Sequence, residues 1–533
     1  LEWTSYAKNA VDKYTMFTLE NMLFYDKTFN DKHTLGVTLL QSIQEDKRES
    51  VNVAMENLPA DNLKYYDLGS GLVTNTIGSS MIKWNMASFM GRINYNYLGR
   101  YLLTVSARYD GSSRLADGHK WVLFPSAALA WRINEESFMS STSGWLDNLK
   151  LRLGFGKTGN SAVDPYQTKG TLSLIRYPFD NGGTPTIGYA PNAMANSLLT
   201  WETTDQWNLG IDFGVLRGRI NGTIDLYMQN THDLLLKRQL PVVSGFPDVL
   251  SNVGKTRNKG IEVSINSMNI NSKDFQWTTD LMLSSNKEEI VELYNGKNDD
   301  IGSKWFIGQP VNVHYDYRKV GIWQNTESDL AEMAKFAANG TEFAPGDIKI
   351  QDVNGDYKIT DADKQILGNP RPKLIASMVN TFNYKGFDLS VFLYASFGAM
   401  LYNDIYAVEH CGRNGGVKVD YWTPNNPTNA YPRPSIDEER PIYITSTYYE
   451  KADFLRVKTM TLGYTLPKTL TNKFLVEKLR VYFTAQNPFI FTNYTGIDPE
   501  AAKVNSAGNP ETNGSGFGTP SVSSWIFGIN LTL

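Results

Sequence analysis

Cysteine is almost missing from the chain. Cys411 is the single one in 533 residues, so neither an intrachain disulfide nor a thiolate metal cluster can form, and a structural role is expected for it. Long apolar runs are missing as well. No stretch approaches the roughly 20 apolar residues of a spanning helix, and the mean hydropathy is -0.34, which excludes a helical membrane protein. No excess of one charge exists either: 51 Lys and Arg stand against 55 Asp and Glu, a net charge of -4. That balance offers no broad attraction for a polyanion, and nucleic acid is not an expected partner. The five histidines, His33, His119, His232, His314 and His410, are scattered without HExxH or any other metal-binding spacing. The chain begins at Leu1 without Met or a signal peptide and reads as part of something longer.

What the chain does have is alternation. Between Arg219 and Gln229, apolar Ile220, Ile224 and Met228 are separated by Asn221, Thr223, Asp225 and Tyr227. Successive strand side chains point to opposite sides, so such a segment of ten or so residues needs hydrocarbon on one face and a polar medium on the other. The pattern recurs in Phe89, Ile93, Tyr95 and Tyr97, in Leu103, Val105, Ala107 and Tyr109, in Leu149, Leu151, Leu153 and Phe155, and in Trp207, Leu209, Ile211 and Phe213. It returns in Phe387, Leu389, Val391 and Leu393, in Leu479, Val481 and Phe483, and in Trp525, Phe527, Ile529 and Leu531. Lipid meets only alternate residues of such strands, so an ordinary mean hydropathy is compatible with a membrane β-barrel. The 29 Tyr, 25 Phe and 12 Trp suit aromatic girdles at two membrane interfaces.

The connections supply topology. Short links fall near Gly99, Gly218, Ser272 and Lys385, a moderate one near Lys473, and an intermediate one at 133–148. Long ones cover 111–120, 158–202, 230–256, 287–373, 398–452 and 492–522. Outer-membrane barrels have short periplasmic turns and longer outer loops, and this assignment keeps the two kinds alternating through to the periplasmic end of the last strand. The count is about fifteen or sixteen strands, with two or three of them before residue 50. Plugged outer-membrane transporters have about 22, so the expected fold is all-β, the antiparallel transmembrane barrel of which this is a part. A soluble sandwich would favour shorter strands, nearer 5–6 residues, and no propeller repeat is present.

The sharpest local motif runs from Asp352 to Asp363. Asp352, Asn354, Asp356, the Lys358 carbonyl, Thr360 and Asp363 occupy the oxygen-ligand positions of a calcium loop. Position 6 is Tyr357 instead of Gly, and position 12 is Asp instead of Glu; the other reading of this segment is a metal-free turn rich in Asp and Asn. The Gly154–Gly159 cluster contains Gly-Lys-Thr but lacks phosphate-loop spacing. Residues Ser328 to Ala338 have helical spacing inside the 287–373 connection. Loop aromatics Trp305, Trp323, Tyr406, Tyr421, Trp422, Tyr431 and Tyr443 are candidates to face substrate or a lid protein, with packing between loops as the alternative.

Several short motifs resemble the barrel of SusC/RagA-type TonB-dependent outer-membrane transporters. They are Ser106–Arg114, Phe124–Ser126 with Ala130–Arg132, Leu149–Arg152 with Thr158–Asn160, Asn258–Glu262, and Pro345–Ile348 leading into the calcium-like loop and Gly368–Lys373. Leu455–Lys458, Leu462–Pro467, Ala485–Pro488 and Gly496–Glu500 continue the likeness over nearly the whole chain. The resemblance implies active import of oligosaccharides, or less often peptides, powered through TonB, with a SusD-like surface lipoprotein as a lid. It also implies that residues 1–533 are the C-terminal part of the barrel, with the plug domain, TonB box and first strands outside this chain. Arg92, Arg108, Arg152, Asp212, Asp225 and Arg480 are expected on the polar inner face, against a plug. No residue is expected to make or break a covalent bond. A passive porin and a soluble or surface glycan-binding β-protein are the competing readings.

Overall fold

A computed structural model describes residues 5–60, 62, 64–179, 186–403, 418–435, 441–471, 473, 476–500 and 521–533. Cys411 and Tyr406 lie outside the described residues. Fifteen strands form one antiparallel sheet in which each pairs with its neighbours in sequence order. Numbered here along the chain, they are β1 (Tyr6–Phe29), β2 (His33–Glu56), β3 (Val73–Tyr97), β4 (Tyr101–Ser112), β5 (Trp121–Arg132), β6 (Leu146–Asn160), β7 (Glu202–Val215) and β8 (Ile220–His232). Then follow β9 (Lys255–Asn271), β10 (Phe275–Glu292), β11 (Leu374–Tyr384), β12 (Phe387–Phe397), β13 (Phe454–Thr465), β14 (Lys478–Thr492) and β15 (Ser524–Thr532). Short and long connections alternate as expected except around β5, where the 113–120 link on the long-loop side is shorter than the 133–145 link on the turn side. The β3–β4 turn is closed by Leu98 and Gly99 at φ 55° and 69°, with Arg100 N–H donating to the Tyr97 carbonyl at 3.0 Å. Two successive left-handed residues give the turn whose twist matches the flanking strands.

The registers align the apolar residues across the sheet. Gly91, Ala107 and Val105 share a face with Ile93, and the row Leu153–Leu209–Leu226–Ile261 crosses β6 to β9 without a break. No second layer of strands covers that face among the described residues, and Phe527 is 81% exposed and Leu129 54%. Aromatic rings gather at its two ends. Near the short turns, Tyr97, Tyr101 and Trp131 stack in sequence, as do Phe275, Phe382 and Trp277. Toward the long loops, Phe89 and Tyr109 stack on Trp121, Phe155 meets Trp207, and Phe483 meets Trp525. From Tyr101 to Tyr109 is about 26 Å along β4. A tilt of about 40° reduces that to roughly 20 Å of height, near the apolar band of an outer-membrane barrel.

One expectation needs correction. From β4 onward the strands have 9 to 18 residues, several of them longer than the expected ten or so, and β1, β2 and β3 have 24, 24 and 25. Their turns are level with the β3–β4 turn, since Leu98 N–H bonds the Lys32 carbonyl, so the excess rises on the long-loop side. There the outward face carries Lys13, Lys47 and Glu49 on one level and Lys83 with Glu45 on another, joined as ion pairs. Outside the membrane that face no longer meets hydrocarbon, and the polar-apolar alternation that marks the other strands disappears.

Ile224→Arg, on the apolar face of β8, is expected to cost about 2–4 kcal/mol of folding free energy in a bilayer. Thr223→Arg, one residue away on the polar face beside Asp212, is expected to cost less than half as much. Denaturant titration in phospholipid vesicles checks this, and equal costs would mean the two faces do not meet different media.

Candidate functional site

The polar face holds ion pairs that span three strands. Arg152 on β6 reaches Asp212 on β7 at 2.8 Å and Asp225 on β8 at 3.0 Å, and Lys150 joins Asp212 at 3.2 Å. The guanidinium crosses β7 over Gly210, where a Cβ would stand 2.5 Å from the Arg152 Cζ. Arg480 on β14 does the same across β13, reaching Asp388 on β12 at 2.5 Å and lying over Gly463. In both places a residue without a side chain lets a planar cation lie flat on the sheet and hold the carboxylate two strands away. Arg108 bonds Asp110 at 2.7 Å and the Ser88 hydroxyl at 2.8 Å, whereas Arg92 has no acidic partner among the described residues. All six residues expected on the inner face lie on the face opposite the apolar rows.

At the long-loop end, two connections fuse into one body. The segment after β10 contains two small hairpin pairings, Lys319–Ile322 with Ile348–Ile350 and His314–Asp316 with Gln365–Gly368, and a helix, α1 (Glu327–Ala338). Thr326 caps α1 by accepting the Asp329 N–H, and its Met333 and Phe336 pack on Trp323. This segment shares a core with the connection after β12, made of Ile322, Ile348, Ile350, Trp422, Ile444 and Tyr448. Polar bonds join the same two connections. Trp422 Nε1 donates to Gln324 Oε1 at 2.8 Å, Ile322 N to Asn429 Oδ1 at 2.9 Å, and Arg433 pairs with Asp347 at 2.8 Å. Lys319 Nζ donates to the Ala430 carbonyl at 2.5 Å, and burial pushes its pKa down to about 8. His314, buried and donating from Nε2 to the Met400 carbonyl at 2.7 Å, has its pKa lowered by the same desolvation.

This body sorts the loop aromatics. Trp323 is 0% and Trp422 6% exposed, so both rings are core, and for them the packing alternative describes the structure. Enclosing them removes more apolar surface from water than any other residues there could. Tyr443 sits at the edge of this core against Tyr317. Tyr421, the most open of the described ones, bridges to Tyr431, and Trp305 is half-buried in a turn with Asp300.

The Asp352–Asp363 segment forms a closed loop beneath α1. Asp352 accepts from Gly355 N at 2.8 Å and Tyr357 N at 2.8 Å, Asn354 from Asp356 N at 3.1 Å, and Asp356 from Lys358 N at 2.8 Å. Asp363, fully buried, takes Val353 N at 2.9 Å and Thr360 N at 2.8 Å, tying the end of the loop to its start. Tyr357, where a calcium loop has Gly, adopts φ 58°, so the turn is made at the cost of a left-handed tyrosine. Among the described residues no group of three or more His, Cys, Asp or Glu side chains converges as a metal cage.

A feature the sequence reading missed is a buried ion pair at the top of β13. Arg456 and Asp498 are each 4% exposed and 2.5 Å apart, and Glu500 takes Arg456 at 3.2 Å and Lys458 at 2.5 Å. Asp498 also accepts Ser521 N at 3.0 Å, so one carboxylate pins both ends of the last long connection to the wall.

The comparisons agree with this geometry. The TonB dependent receptor-like β-barrel family matches residues 3–487. TonB-dependent receptor P3 of Formosa agariphila is 32% identical over 531 residues, covering 96% of this chain and 52% of its own length. TonB-dependent receptor SusC of Bacteroides thetaiotaomicron is 35% identical over 434 residues, covering 78% and 41%. The solved RagAB peptide transporter superposes with a TM-score of 0.81 at 22% identity over 98% of this chain and 56% of that one. The chain thus spans about half the length of the relatives it matches.

Arg456→Ala leaves Asp498 as an uncompensated buried charge and is expected to cost about 3–5 kcal/mol. Hydrogen exchange at the amides of Tyr494–Glu500 should accelerate while β13 amides stay protected; unchanged exchange there would show that the pair does not anchor the connection.

Proposed function

Because the chain belongs to the TonB-dependent receptor-like β-barrel family of the bacterial outer membrane, we propose that it forms most of the wall of a TonB-energised importer. The substrates proposed are oligosaccharides or peptides, and the partner is a SusD-like surface lipoprotein that closes over the barrel. The observation that carries this reading is the inner face. Arg152, Asp212, Asp225, Arg480 and Asp388 are held flat against the sheet by ion pairs among themselves, which suits a wall against which a folded plug slides. A passive pore would instead project its charges into water. The outer edges of β1 and β15 have no strand partner among the described residues, and an open edge is not tolerated in hydrocarbon. In this proposal further strands and a plug from the rest of the transporter meet those edges. The fused loop body stands where a lid would dock, with Tyr421, Tyr431, Tyr443 and Trp305 near its surface. RagAB is a peptide transporter, and saccharide rings would use the same aromatic surfaces by stacking. The exposed apolar face speaks against a soluble glycan-binding protein.

Uptake of radiolabelled glycan or peptide fragments by cells carrying the full-length transporter decides between the energised and passive readings. Uptake should vanish on deletion of TonB, and uptake that persists unchanged would establish a porin.

For the Asp352–Asp363 loop we propose a structural calcium ion. Each carboxylate oxygen that accepts one backbone N–H keeps a second lone pair, and the donor set of Asp352, Asn354, Asp356, the Lys358 carbonyl, Thr360 and Asp363 is all oxygen, which suits a hard cation. Terbium is the test ion, since Tyr357 lies in the loop and can sensitise its luminescence. Emission should appear with the intact chain, be displaced by Ca²⁺ and not by Mg²⁺, and be lost in Asp352→Asn/Asp356→Asn. No sensitised emission from the folded protein would leave the loop as a self-bonded turn.

A further inference from the structure

On the lipid-facing side, just above the outer aromatic belt, β3 runs on past the end of β4. Pairing stops at Met86 with Ser112, and the free edge of β3 above it is met by two connections. Asn85 N donates to the Ser113 hydroxyl at 2.8 Å, Ser113 N to the Asn85 carbonyl at 2.9 Å, and Lys83 N to the Tyr166 hydroxyl at 3.3 Å. Between this edge and the two connections lies a cavity of about 520 Å³, lined among others by Met81, Lys83, Lys120, Tyr166 and Lys169.

Its position follows from the strand period. Met81, Lys83 and Asn85 alternate in step with Phe89 and Ile93, so they belong to the face that meets lipid lower down. Lys120 immediately precedes Trp121, whose ring stacks on Tyr109 at 5.0 Å and faces Phe89 at 6.3 Å. The mouth is therefore level with the zone where hydrocarbon gives way to headgroups.

The charge is unbalanced. Three lysines line the cavity against one acid, Asp117. Lys120 holds Asp117 at 2.5 Å, and Lys83 holds Glu45 at 2.9 Å. Lys169 has no ion pair among the described residues, yet its field, after that of Lys120, helps hold the Asp117 carboxyl below its ordinary range. The cationic side chains thus face one another around one space. Ammonium groups on flexible stems bind phosphate as point charges and can reach from an apolar surface to a headgroup.

We propose that this cavity docks the phosphorylated sugar headgroup of an outer-leaflet glycolipid, its phosphates on Lys120 and Lys169 and its acyl chains running down over Trp121 and Phe89. A free sugar phosphate offers the same headgroup chemistry. The lipid is favoured because Met81, Lys83 and Asn85 of the lining belong to the face that meets lipid lower down, and Met81 and Trp121, next to Lys120, are exposed apolar side chains. The inference rests on the membrane orientation and is independent of what the barrel imports.

Native mass spectrometry of the full-length protein in detergent provides the test, with bisphosphoryl lipid A, monophosphoryl lipid A and glucosamine 6-phosphate as probes. Bisphosphoryl lipid A should be retained best, the monophosphoryl form less, and the free sugar phosphate not at all at the same concentration. Lys120→Gln/Lys169→Gln should weaken lipid A retention roughly 10- to 30-fold, with folding checked by heat-dependent electrophoretic mobility. Lys169→Gln alone, at an exposed side chain without an ion pair, should give a smaller loss in the same direction and serves if the double variant does not fold. Undiminished retention by a folded variant overturns the proposal, as does glucosamine 6-phosphate binding more tightly than lipid. The measurement needs neither TonB nor substrate, so its failure would leave the transport reading standing.

Discussion

Backbone hydrogen bonding in hydrocarbon governs this structure. A peptide N–H or C=O facing lipid has no water to bond, and leaving it unmet costs several kcal/mol. Every described strand from β2 to β14 answers this by pairing along both edges. The rest follows from that arrangement. With the backbone satisfied laterally, the side chains divide between a face that meets lipid and one that meets polar protein or water. Connections can then be long only where they stand clear of the membrane.

The same constraint explains how much could be read in the sequence. A period of two is local, so the alternation around Ile224, Val391 and Phe527 marked strands and faces, and connection lengths marked which end was which. The helix at Glu327–Ala338 was visible, from Ser328 on, because its spacing lies within a dozen residues. Other features depend on partners far apart in the chain. Trp422 meets Gln324 across 98 residues and Arg480 meets Asp388 across 92, and no local pattern announces either. For Trp323 and Trp422, contact with a ligand and packing between loops were both open, because no local pattern separates the two roles. The fusion of two connections into one core, which alone encloses them, is a tertiary event.

The upper parts of β1 to β3 failed to show for a different reason. Where both faces meet water, alternation carries no energetic reward, and only the regular pairing of Tyr6–Glu56 and its successors keeps the strands extended. Their outward charges are largely paired with opposite ones, Lys13 and Lys47 with Glu49. Exposed pairs of this kind contribute little to stability. They discourage an exposed strand from joining another sheet.

The polar face and the loop body meet different mechanical demands. On the wall, cations lie over glycines and are tied to carboxylates two strands away, so three strands move as one and little charge projects inward. Above it, the segments after β10 and β12 are joined by a shared apolar core and by bonds such as Lys319 to the Ala430 carbonyl. That body is braced on the wall as well, since Gly308 N and the Gln309 carbonyl bond Ile290 of β10, Val311 N donates to Glu288, and Glu450 accepts Thr495 N from the last connection. The fifteen-strand wall and the body above it are each bonded internally, so the side-chain contacts of the loops do not draw on the backbone bonds that the strands need within the membrane.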